Sequence, residues 1–366
     1  MFEIIFLVIL SLYFVFTVVV IIGAAKTFPK KEENNLPSVS VIVAARNEEK
    51  NIVETLKSLD KLDFPENKLE IIIVDDNSTD NTGKIIDEFI SGKRKFKKII
   101  SIKGKKGLKG KTLAIANGIE HATNEIILTT DADCVVSSLW AKRLASYYFD
   151  EKVAMVNGIT NQFDDTLFSG MQSADFIYLL TTASGTINMG LPMSCIGNNM
   201  SYRKSVYEEV GGYENLDFSV TEDFKLLMAI NKLKKYKIIY PIDKDSLVTS
   251  KACVSLRELY HQKKRWAVGG LDSEPAGAVL IATAFFTNLM MLLSPFFFSK
   301  SVFTLFLFKI IIDYFFITPV YQKLGLKLQL KHFLLFELYY IIYVVAMPVI
   351  LLFNRKVKWK GREYAK

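Results

Sequence analysis

The sequence predicts an α/β domain with a mostly parallel sheet, carrying transmembrane helices at both ends. Between about residues 37 and 274, short apolar runs of strand character alternate with stretches of helical periodicity, which is the pattern of βαβ units. Long apolar runs lie outside this region, and each is close to the roughly 20 residues that cross a bilayer. They cover about residues 2–25, 277–298, 301–320 and 333–353.

This pattern divides the chain into four parts. Residues 1–25 form an N-terminal transmembrane anchor, 37–274 a globular domain, 277–353 three apolar membrane segments and 354–366 a basic tail. The first run has no basic residues before it and is longer than the apolar part of a signal peptide, so we expect it to be retained. Lys26, Lys30 and Lys31 follow it, and this charge bias places the globular domain in the cytoplasm, at the cell membrane.

The basic tail conflicts with this layout. Three further crossings would carry residues 354–366 to the outer side, whereas their many lysines and arginines favour the cytoplasm. Either the charge bias is overridden or one C-terminal segment lies in the membrane interface. Pro295 makes a broken or shallow helix plausible in the first of these segments.

Within the globular domain, the predicted strands end in polar segments. Strands are expected at Val39–Ala45, Leu69–Val74, near Ile99–Ile102 and up to Asp131, and helices over about residues 47–59, up to Phe89, and 112–121. In parallel sheets, ligands bind at the carboxyl ends of strands. We therefore expect the residues that follow these strands to meet in one site.

Composition excludes several other kinds of site. The three cysteines and three histidines show no metal-binding spacing, so disulfides and zinc are not expected. Residues 93–111 are densely basic, which fits a face near anionic lipid better than a nucleic-acid site. Gly110-Lys111-Thr112 resembles the end of a P-loop, but Lys105 stands where that motif needs glycine.

Asp131 and Asp133 close the fourth predicted strand. Two carboxylates at this spacing can share a hard divalent cation, and a cation with few protein ligands keeps positions open for phosphate oxygens. The alternative is an Asx-type turn that closes the strand.

An ordered set of segments carries a resemblance to a known family. The segments are Val41–Glu49, Val74–Asp80, Gly110–Asn117, Asp131–Asp133, Gly197–Arg203, Thr221–Asp223 and Gln262–Trp266. Together they resemble the motifs of the family 2 glycosyltransferases, inverting enzymes of the GT-A fold that use nucleotide sugars. Gln262–Trp266 is similar to the Gln-x-x-Arg-Trp motif of the membrane-bound members. Asn77 stands where the family has glycine, a mild departure because asparagine also tolerates positive φ.

The resemblance implies a role for each matching residue. Asp223 would be the catalytic base, and Asp131 and Asp133 would bind Mg²⁺ or Mn²⁺. Residues lining the acceptor and sugar pocket would be Asn198, Asn199 and Glu222. The residues expected to contact the nucleotide sugar are Ala45, Asn47, Glu48, Asp76, Lys111, Asp131, Gln262, Arg265 and Trp266. A capping box that includes Ser219 and Glu222 is the structural alternative for Thr221–Asp223.

The resemblance leaves the acceptor open. The arrangement of one span before the domain and three after it, with little room for a channel, looks like that of enzymes that glycosylate ceramide, carotenoids or hopanoids. We therefore expect a nucleotide-sugar donor, a membrane lipid acceptor and no nucleic acid partner. The alternatives are a polysaccharide synthase of the cellulose, hyaluronan or poly-N-acetylglucosamine type and, more remotely, an inactive nucleotide-binding membrane scaffold.

Two further expectations concern the membrane segments. Asp313 lies in the middle of a predicted span, where a carboxylate is costly, so it should face other helices with Lys309 or a hydroxyl as partner. The segment from Phe168 to Pro192 is too polar to span and is expected to lie on the membrane surface with one apolar face. The alternative is an ordinary helix packed within the globular domain.

Overall fold

The computed structural model describes residues 1–31, 36–102, 107–217, 219, 221–270, 275–359 and 362–364, and the side chains of all but 275–276, 358–359 and 362–364. Parts of the predicted linker, basic stretch and basic tail therefore lie outside the described residues. The chain divides into two compact units. The α/β unit comprises residues 27–161 and 195–251, and the helical unit comprises residues 1–26, 162–194 and 252–366.

The helices and strands have the following bounds. The helices are α1 (Phe2–Ala25), α2 (Ile52–Asp60), α3 (Thr82–Ile90), α4 (Gly110–His121), α5 (Trp140–Ala145), α6 (Leu167–Asn188), α7 (Lys204–Glu209), α8 (Glu222–Lys232), α9 (Leu256–Gly270), α10 (Pro275–Leu293), α11 (Lys300–Lys323) and α12 (Leu330–Phe353). The strands are β1 (Val39–Ala45), β2 (Leu69–Asp75), β3 (Phe96–Ile100), β4 (Ile126–Asp131), β5 (Val135–Val136), β6 (Val153–Asn157), β7 (Thr160–Gln162), β8 (Met200–Arg203), β9 (Lys237–Ile239), β10 (Val248–Ser250), β11 (Val357–Trp359) and β12 (Arg362–Tyr364).

The main sheet of the α/β unit has the strand order β3-β2-β1-β4-β8-β6-β9. Strand β1 pairs in parallel with β2 and β4, and β8 runs antiparallel to its neighbours β4 and β6. The run of valine, isoleucine and alanine in β1 is almost wholly buried, as expected for a central parallel strand covered on both faces. Leu56 and Leu59 of α2 complete the core on one side of it.

The register of the central strands brings their carboxyl ends together. Ala45 at the end of β1 lies opposite Asp75, and Ala44 lies opposite Asp131. The polar residues that follow these strands therefore emerge at one edge of the sheet, which confirms the prediction. Short loops connect this edge to α2 and α3.

The helical unit contains the predicted membrane segments. In the part of the chain that the structure describes, four helices are long and apolar enough to cross a membrane, at Phe2–Ala25, Gly277–Phe297, Lys300–Lys323 and Leu330–Phe353. The second span ends early as an α-helix: α10 stops at Leu293, and a turn of 3₁₀ helix containing Pro295 follows. The helix thus changes from α to 3₁₀ geometry at the predicted proline, and the apolar span continues to Phe297.

Helix α6 differs from its prediction in both place and surroundings. The structure assigns residues 162–194, together with 252–274, to the helical unit rather than to the globular domain. Helix α6 packs against α1, α11 and α12, and side chains are buried around most of its circumference, including Phe176 and Leu180. Gly23 and Gly185 permit this approach, because a Cβ atom at Gly185 would lie 2.2 Å from the Val20 carbonyl oxygen. The prediction of a surface-lying helix is therefore wrong, because neighbouring helices cover the face that would be polar.

The prediction for Asp313 is confirmed. Its carboxylate is fully buried, 2.7 Å from Lys309 Nζ, and accepts a hydrogen bond from the Tyr13 hydroxyl at 2.6 Å. Lys309 also contacts Glu337 of α12 at 2.7 Å. The three charged side chains thus partner one another between helices rather than facing lipid.

The chain ends in a small hairpin that the sequence did not predict. Strands β11 and β12 pair antiparallel, and β11 lies beside α9. Val357 of β11 is buried. At the opposite end of the same unit, Phe297 stacks on Phe2 with ring centroids 4.4 Å apart, so the turn between α10 and α11 lies beside the start of α1.

Candidate active site

The loops that follow β1 and β2 are joined by backbone and side-chain hydrogen bonds. The Asp76 N–H donates to the Ala45 carbonyl at 2.8 Å, and Arg46 Nη1 donates to the Asp76 carbonyl at 2.8 Å. The same Arg46 nitrogen lies 3.3 Å from the Asp76 carboxylate. Arg46 was absent from the predicted site residues, although it lies between two of them. It fixes the position of Asp76 at the sheet edge.

Asn47 and Glu48 have their own contacts in these loops. Asn47 adopts a left-handed φ of 53°, and its Oδ1 accepts the Thr79 N–H at 2.8 Å. The Glu48 N–H donates to Thr82 Oγ1 at 2.7 Å. Asn77 also has a positive φ, 55°, as predicted from its replacement of glycine. These bonds align two strand-end loops as one surface.

Lys111 lies between two carboxylates. It is in the first turn of α4, and its Nζ is 2.6 Å from Asp131 Oδ1 and 3.4 Å from Glu222 Oε1. Burial alone lowers the pKa of Lys111, but the charges of Asp131 and Glu222 raise it well above its usual value. Lys111 therefore stays protonated and brings residues from three predicted motifs into one cluster.

The donor set at the end of β4 fits a hard divalent cation. Asp131 ends the strand and Asp133 follows two residues later, with Cys134 Sγ 3.5 Å from Asp133 Oδ1. Within the described residues, no group of three or more histidine, cysteine, aspartate or glutamate side chains could hold a metal ion. A cation held by two carboxylates alone would keep coordination positions for phosphate oxygens and water.

Asp223 is held at the start of α8. Its Oδ2 accepts the Gly197 N–H at 2.7 Å, and its Oδ1 accepts the Phe224 N–H at 2.8 Å. Burial raises the pKa of Asp223 to about 6; the negative charge of Glu222 adds to the shift and Lys111 opposes it. Thr221 is the N-cap and makes no side-chain capping bond, so the predicted capping box does not form. Asp223 itself bonds a first-turn N–H of α8, so this side chain has a structural contact at the helix start besides its proposed role as base.

The segment from Gly197 to Asn199 forms the wall beside Asp223. Thr129 of β4 donates to the Gly197 carbonyl at 2.7 Å and so fixes the residue whose N–H contacts Asp223. Asn198 is buried, and its Oδ1 accepts a hydrogen bond from Thr160 at 2.7 Å. Neither Thr129 nor the role of the Gly197 backbone was predicted, because both depend on contacts between distant segments.

Asn199 differs from its predicted role in the pocket. Its side chain is fully buried and bonded to protein groups: Oδ1 accepts from Trp140 Nε1 at 2.9 Å, and Nδ2 donates to the Ile159 and Ser246 carbonyls at 2.7 and 2.9 Å. With its amide satisfied inside the unit, Asn199 supports the loop that carries Asn198 rather than lining a pocket.

The residues of the Gln-x-x-Arg-Trp motif lie on α9 of the helical unit. Gln262, Arg265 and Trp266 occupy its middle turns, and each residue is partly buried. The Trp266 ring stacks on Phe176 with centroids 5.4 Å apart and an interplanar angle of 18°. Trp266 thus supports the contact between α6 and α9.

Comparison with known proteins decides the family. The profile described as "Glycosyl transferase family group 2" matches residues 126–354, and the profile described as "Glycosyl transferase family 2" matches residues 40–211.

The chain belongs to glycosyltransferase family 2.

Individual relatives of this glycosyltransferase agree with that assignment. The probable glycosyltransferase YdaM of Bacillus subtilis is 31% identical over 255 residues, covering 67% of this chain and 58% of YdaM. The β-monoglucosyldiacylglycerol synthase of Nostoc sp. is 28% identical over 257 residues, covering 69% of this chain and 53% of the synthase. The matched stretch thus spans little more than half the length of these curated relatives.

A solved structure shows that the glycosyltransferase has the GT-A fold. The mannosyltransferase PcManGT from Pyrobaculum calidifontis, solved in complex with GDP-Man and Mn²⁺, superposes with a TM-score of 0.66 at 17% identity. The match covers 96% of this chain and 99% of that chain. The mostly parallel sheet and the helices at both ends were predicted, and both are confirmed.

Proposed function

We propose that this glycosyltransferase moves a sugar from a nucleotide-diphosphate sugar, specifically a UDP-sugar, to the hydroxyl of a membrane lipid with inversion. The observation that carries the proposal is the cluster of Asp223, Lys111 and Asp131 at the sheet edge. It combines a carboxylate with a raised pKa, a lysine and a strand-end aspartate that is ion-paired with that lysine. These are the groups that deprotonate a nucleophile and stabilise a diphosphate leaving group.

In this proposal each site residue has a separate role in the reaction. Asp223 accepts the proton of the acceptor hydroxyl as its oxygen attacks the anomeric carbon. The Gly197 N–H keeps one oxygen of Asp223 in place, and a pKa of about 6 keeps the group mostly ionised at neutral pH while it remains basic enough to take a proton. Lys111 neutralises charge on the departing diphosphate. Asp76 and the loop carrying Asn47 and Glu48 contact the nucleotide.

A divalent cation completes the proposed donor site. We propose that Asp131 and Asp133 hold Mg²⁺ or Mn²⁺, which when bound neutralises part of the diphosphate charge. The two-carboxylate donor set supports this assignment, and so does the Mn²⁺ in the complex of the structurally similar mannosyltransferase. On α9, Arg265 adds a planar cation suited to phosphate, with Gln262 beside it.

The helical unit and one group of relatives support a lipid acceptor. Four helices are long and apolar enough to span a membrane, and the monoglucosyldiacylglycerol synthases are named for a lipid product. We place the protein in the cell membrane with the α/β unit in the cytoplasm, because lysines follow α1. Polymerisation is the second candidate, since the Gln-x-x-Arg-Trp motif is also similar to that of polysaccharide synthases.

The direct test supplies the purified, detergent-solubilised protein with UDP- or GDP-sugars, extracted membrane lipids and Mn²⁺ or Mg²⁺. We expect one lipid species to gain the mass of one sugar, and we expect excess EDTA to stop the reaction. A ladder of products separated by one sugar mass would instead support polymerisation. Full activity in EDTA would contradict the metal assignment, and absence of donor turnover under every condition would contradict the proposal.

The role of Asp223 has its own test. We expect Asp223→Asn to lower kcat by about 10²–10⁴ while the affinity for the nucleoside diphosphate changes only a few-fold, because a general base acts on the acceptor and not on the donor. Glu222→Gln changes the neighbouring carboxylate but keeps the proposed base, so it should lower kcat much less than Asp223→Asn. Equal losses of binding and turnover in Asp223→Asn would mark Asp223 as a structural residue.

A further inference from the structure

The interface between α6 and α9 contains a buried ion pair next to the Gln-x-x-Arg-Trp motif. Lys263, the residue after Gln262, is bonded to Asp175 of α6, and the two side chains are only 3% and 1% exposed. Lys263 Nζ also lies 4.5 Å from the centre of the Trp266 ring and 5.3 Å from that of Tyr343. One charge of the motif helix is therefore enclosed by α6, α9 and α12.

Two neighbouring contacts fix the same interface at other points. Phe176, next to Asp175, stacks on Trp266. Near the start of α6 and three residues before α9, Gln172 Nε2 donates to the Cys253 carbonyl at 3.0 Å, and the Cys253 N–H donates to Gln172 Oε1 at 2.9 Å. Contacts spread along the helix in this way oppose both rotation and sliding of α9 against α6.

Helix geometry connects this contact with Gln262 and Arg265. Leu259, Lys263 and Trp266 fall within one face of α9, because residues three and four apart lie on the same side of a helix. At about 100° per residue, Gln262 lies at one edge of that face and Arg265 about 120° from its centre. The rotation of α9 therefore determines the direction in which both side chains leave the helix.

Stability does not account for the ion pair. Replacing a buried pair by apolar residues of similar volume is often neutral or stabilising, since desolvation offsets the attraction. Asp175 Oδ1 has no hydrogen-bond partner among the described residues, so the pair is not fully satisfied. Unlike an apolar contact, an ion pair fixes the orientation of the two side chains relative to each other.

We propose that Asp175 and Lys263 are positioning residues that set the rotation of α9 and thereby the direction in which Arg265 and Gln262 leave the helix. This inference rests on the proposed function, which assigns Arg265 and Gln262 to the donor. Asp175 and Lys263 contact neither donor nor acceptor in this scheme. They act through Arg265, and this dependence can be tested.

The test is a double-mutant cycle on the full-length protein in detergent. The combined variant Asp175→Leu/Lys263→Met removes both charges without leaving one unpaired. We expect it to fold with a Tm within a few degrees of wild type and to bind one nucleoside diphosphate per chain, with the donor KM raised about 10–100-fold. The single variant Lys263→Arg keeps the charge, and its donor KM should stay within a few-fold of the wild-type value. Lys26→Met, which removes the bond of Lys26 to the Asn188 carbonyl at the other end of α6, is the control and should leave KM unchanged.

The decisive measurement uses an Arg265→Ala background. If the ion pair acts through Arg265, removing it there should change kcat/KM less than about threefold, because the group being positioned is already gone. The inference would be overturned if removing the ion pair lowered kcat/KM by the same factor with and without Arg265. It would also be overturned if the combined variant kept the wild-type KM. The same holds if a smaller fraction of protein able to bind nucleotide explained the whole loss. Activity of the wild-type protein in the same assay tests the proposed function separately.

Discussion

Each unit of this protein contains a lysine between an aspartate and a glutamate, and the two clusters differ in their exposure to solvent. In the α/β unit, Lys111 contacts Asp131 and Glu222, and the three side chains are 20%, 31% and 13% exposed. In the helical unit, Lys309 contacts Asp313 and Glu337, and their exposures are 0%, 0% and 4%. Composition and distances are similar, so burial is the main difference.

That difference separates a site from a structural contact. At the sheet edge, solvent and ligands can reach the charges, so a diphosphate or a cation can take the place of one partner. Between α11 and α12, the charges have been removed from water and are compensated by one another and by the Tyr13 and Tyr178 hydroxyls. The first cluster should therefore govern turnover, and the second should govern folding.

The largest effect is expected at Lys309. Lys309→Met leaves two carboxylates buried without a cation, which should cost about 3–5 kcal/mol and lower the Tm measured in detergent. The matched variant Lys309→Met/Asp313→Asn/Glu337→Gln carries no charge and should regain most of that loss. An unchanged Tm in the single variant would mean that the buried cluster does not support the fold.

Lys111 should give the reverse result. Lys111→Met should change the free energy of unfolding by no more than about 1 kcal/mol, because partly exposed ion pairs contribute little. Its kcat should fall by about 10²–10³, because a cation near the leaving group is lost. Lys111→Arg keeps the charge and is the control. If Lys111→Met lost as much stability as Lys309→Met and kept its turnover, the proposed difference between the two clusters would be wrong.

The smallest effect is a displacement of the pH profile. Asp223 acts as a base only when ionised, so kcat/KM should fall as the pH drops below the pKa of about 6. Glu222 raises that pKa, so Glu222→Gln should move the acid limb to lower pH. Lys111 lowers it, so the residual activity of Lys111→Met should decline from a higher pH. Shifts of the same sign in both variants would contradict the electrostatic origin of the raised pKa.

The sequence predicted well those features that a single strong physical constraint determines. The bounds of β1 follow from an uninterrupted buried strand, and the convergence of Asp76 and Asp131 follows from parallel topology. The partner of Asp313 could be predicted because a carboxylate within a span has few means of compensation. In each case one strong physical constraint left few alternatives.

Contacts between distant segments could not be predicted. The amide of Asn199 is used by Trp140 and two carbonyls, and the sequence gives no sign of that burial. Helix α6 contains serine, threonine, glutamine and aspartate, which resembles a surface helix until the neighbours that cover these groups are known. The pairing of Asp175 with Lys263 spans 88 residues and follows from the same packing.

The hairpin beside α9 has a consequence for how many times the chain crosses the membrane. Two segments in contact lie on one side, so an even number of crossings must separate α9 from β11. Three apolar helices, α10, α11 and α12, lie between them, and at most two can therefore cross completely. In a variant without the native cysteines, single cysteines at Tyr260 and Lys356 should react with an impermeant reagent from the same side, and labelling from opposite sides would disprove this parity.

If α1 and two of these helices cross, the chain crosses the membrane three times, and the remaining C-terminal helix lies along the bilayer or enters and leaves on one face. The basic tail then shares a compartment with the lysines that follow α1. The number of crossings and the charge bias of the loops, which conflict if all four helices cross, then agree.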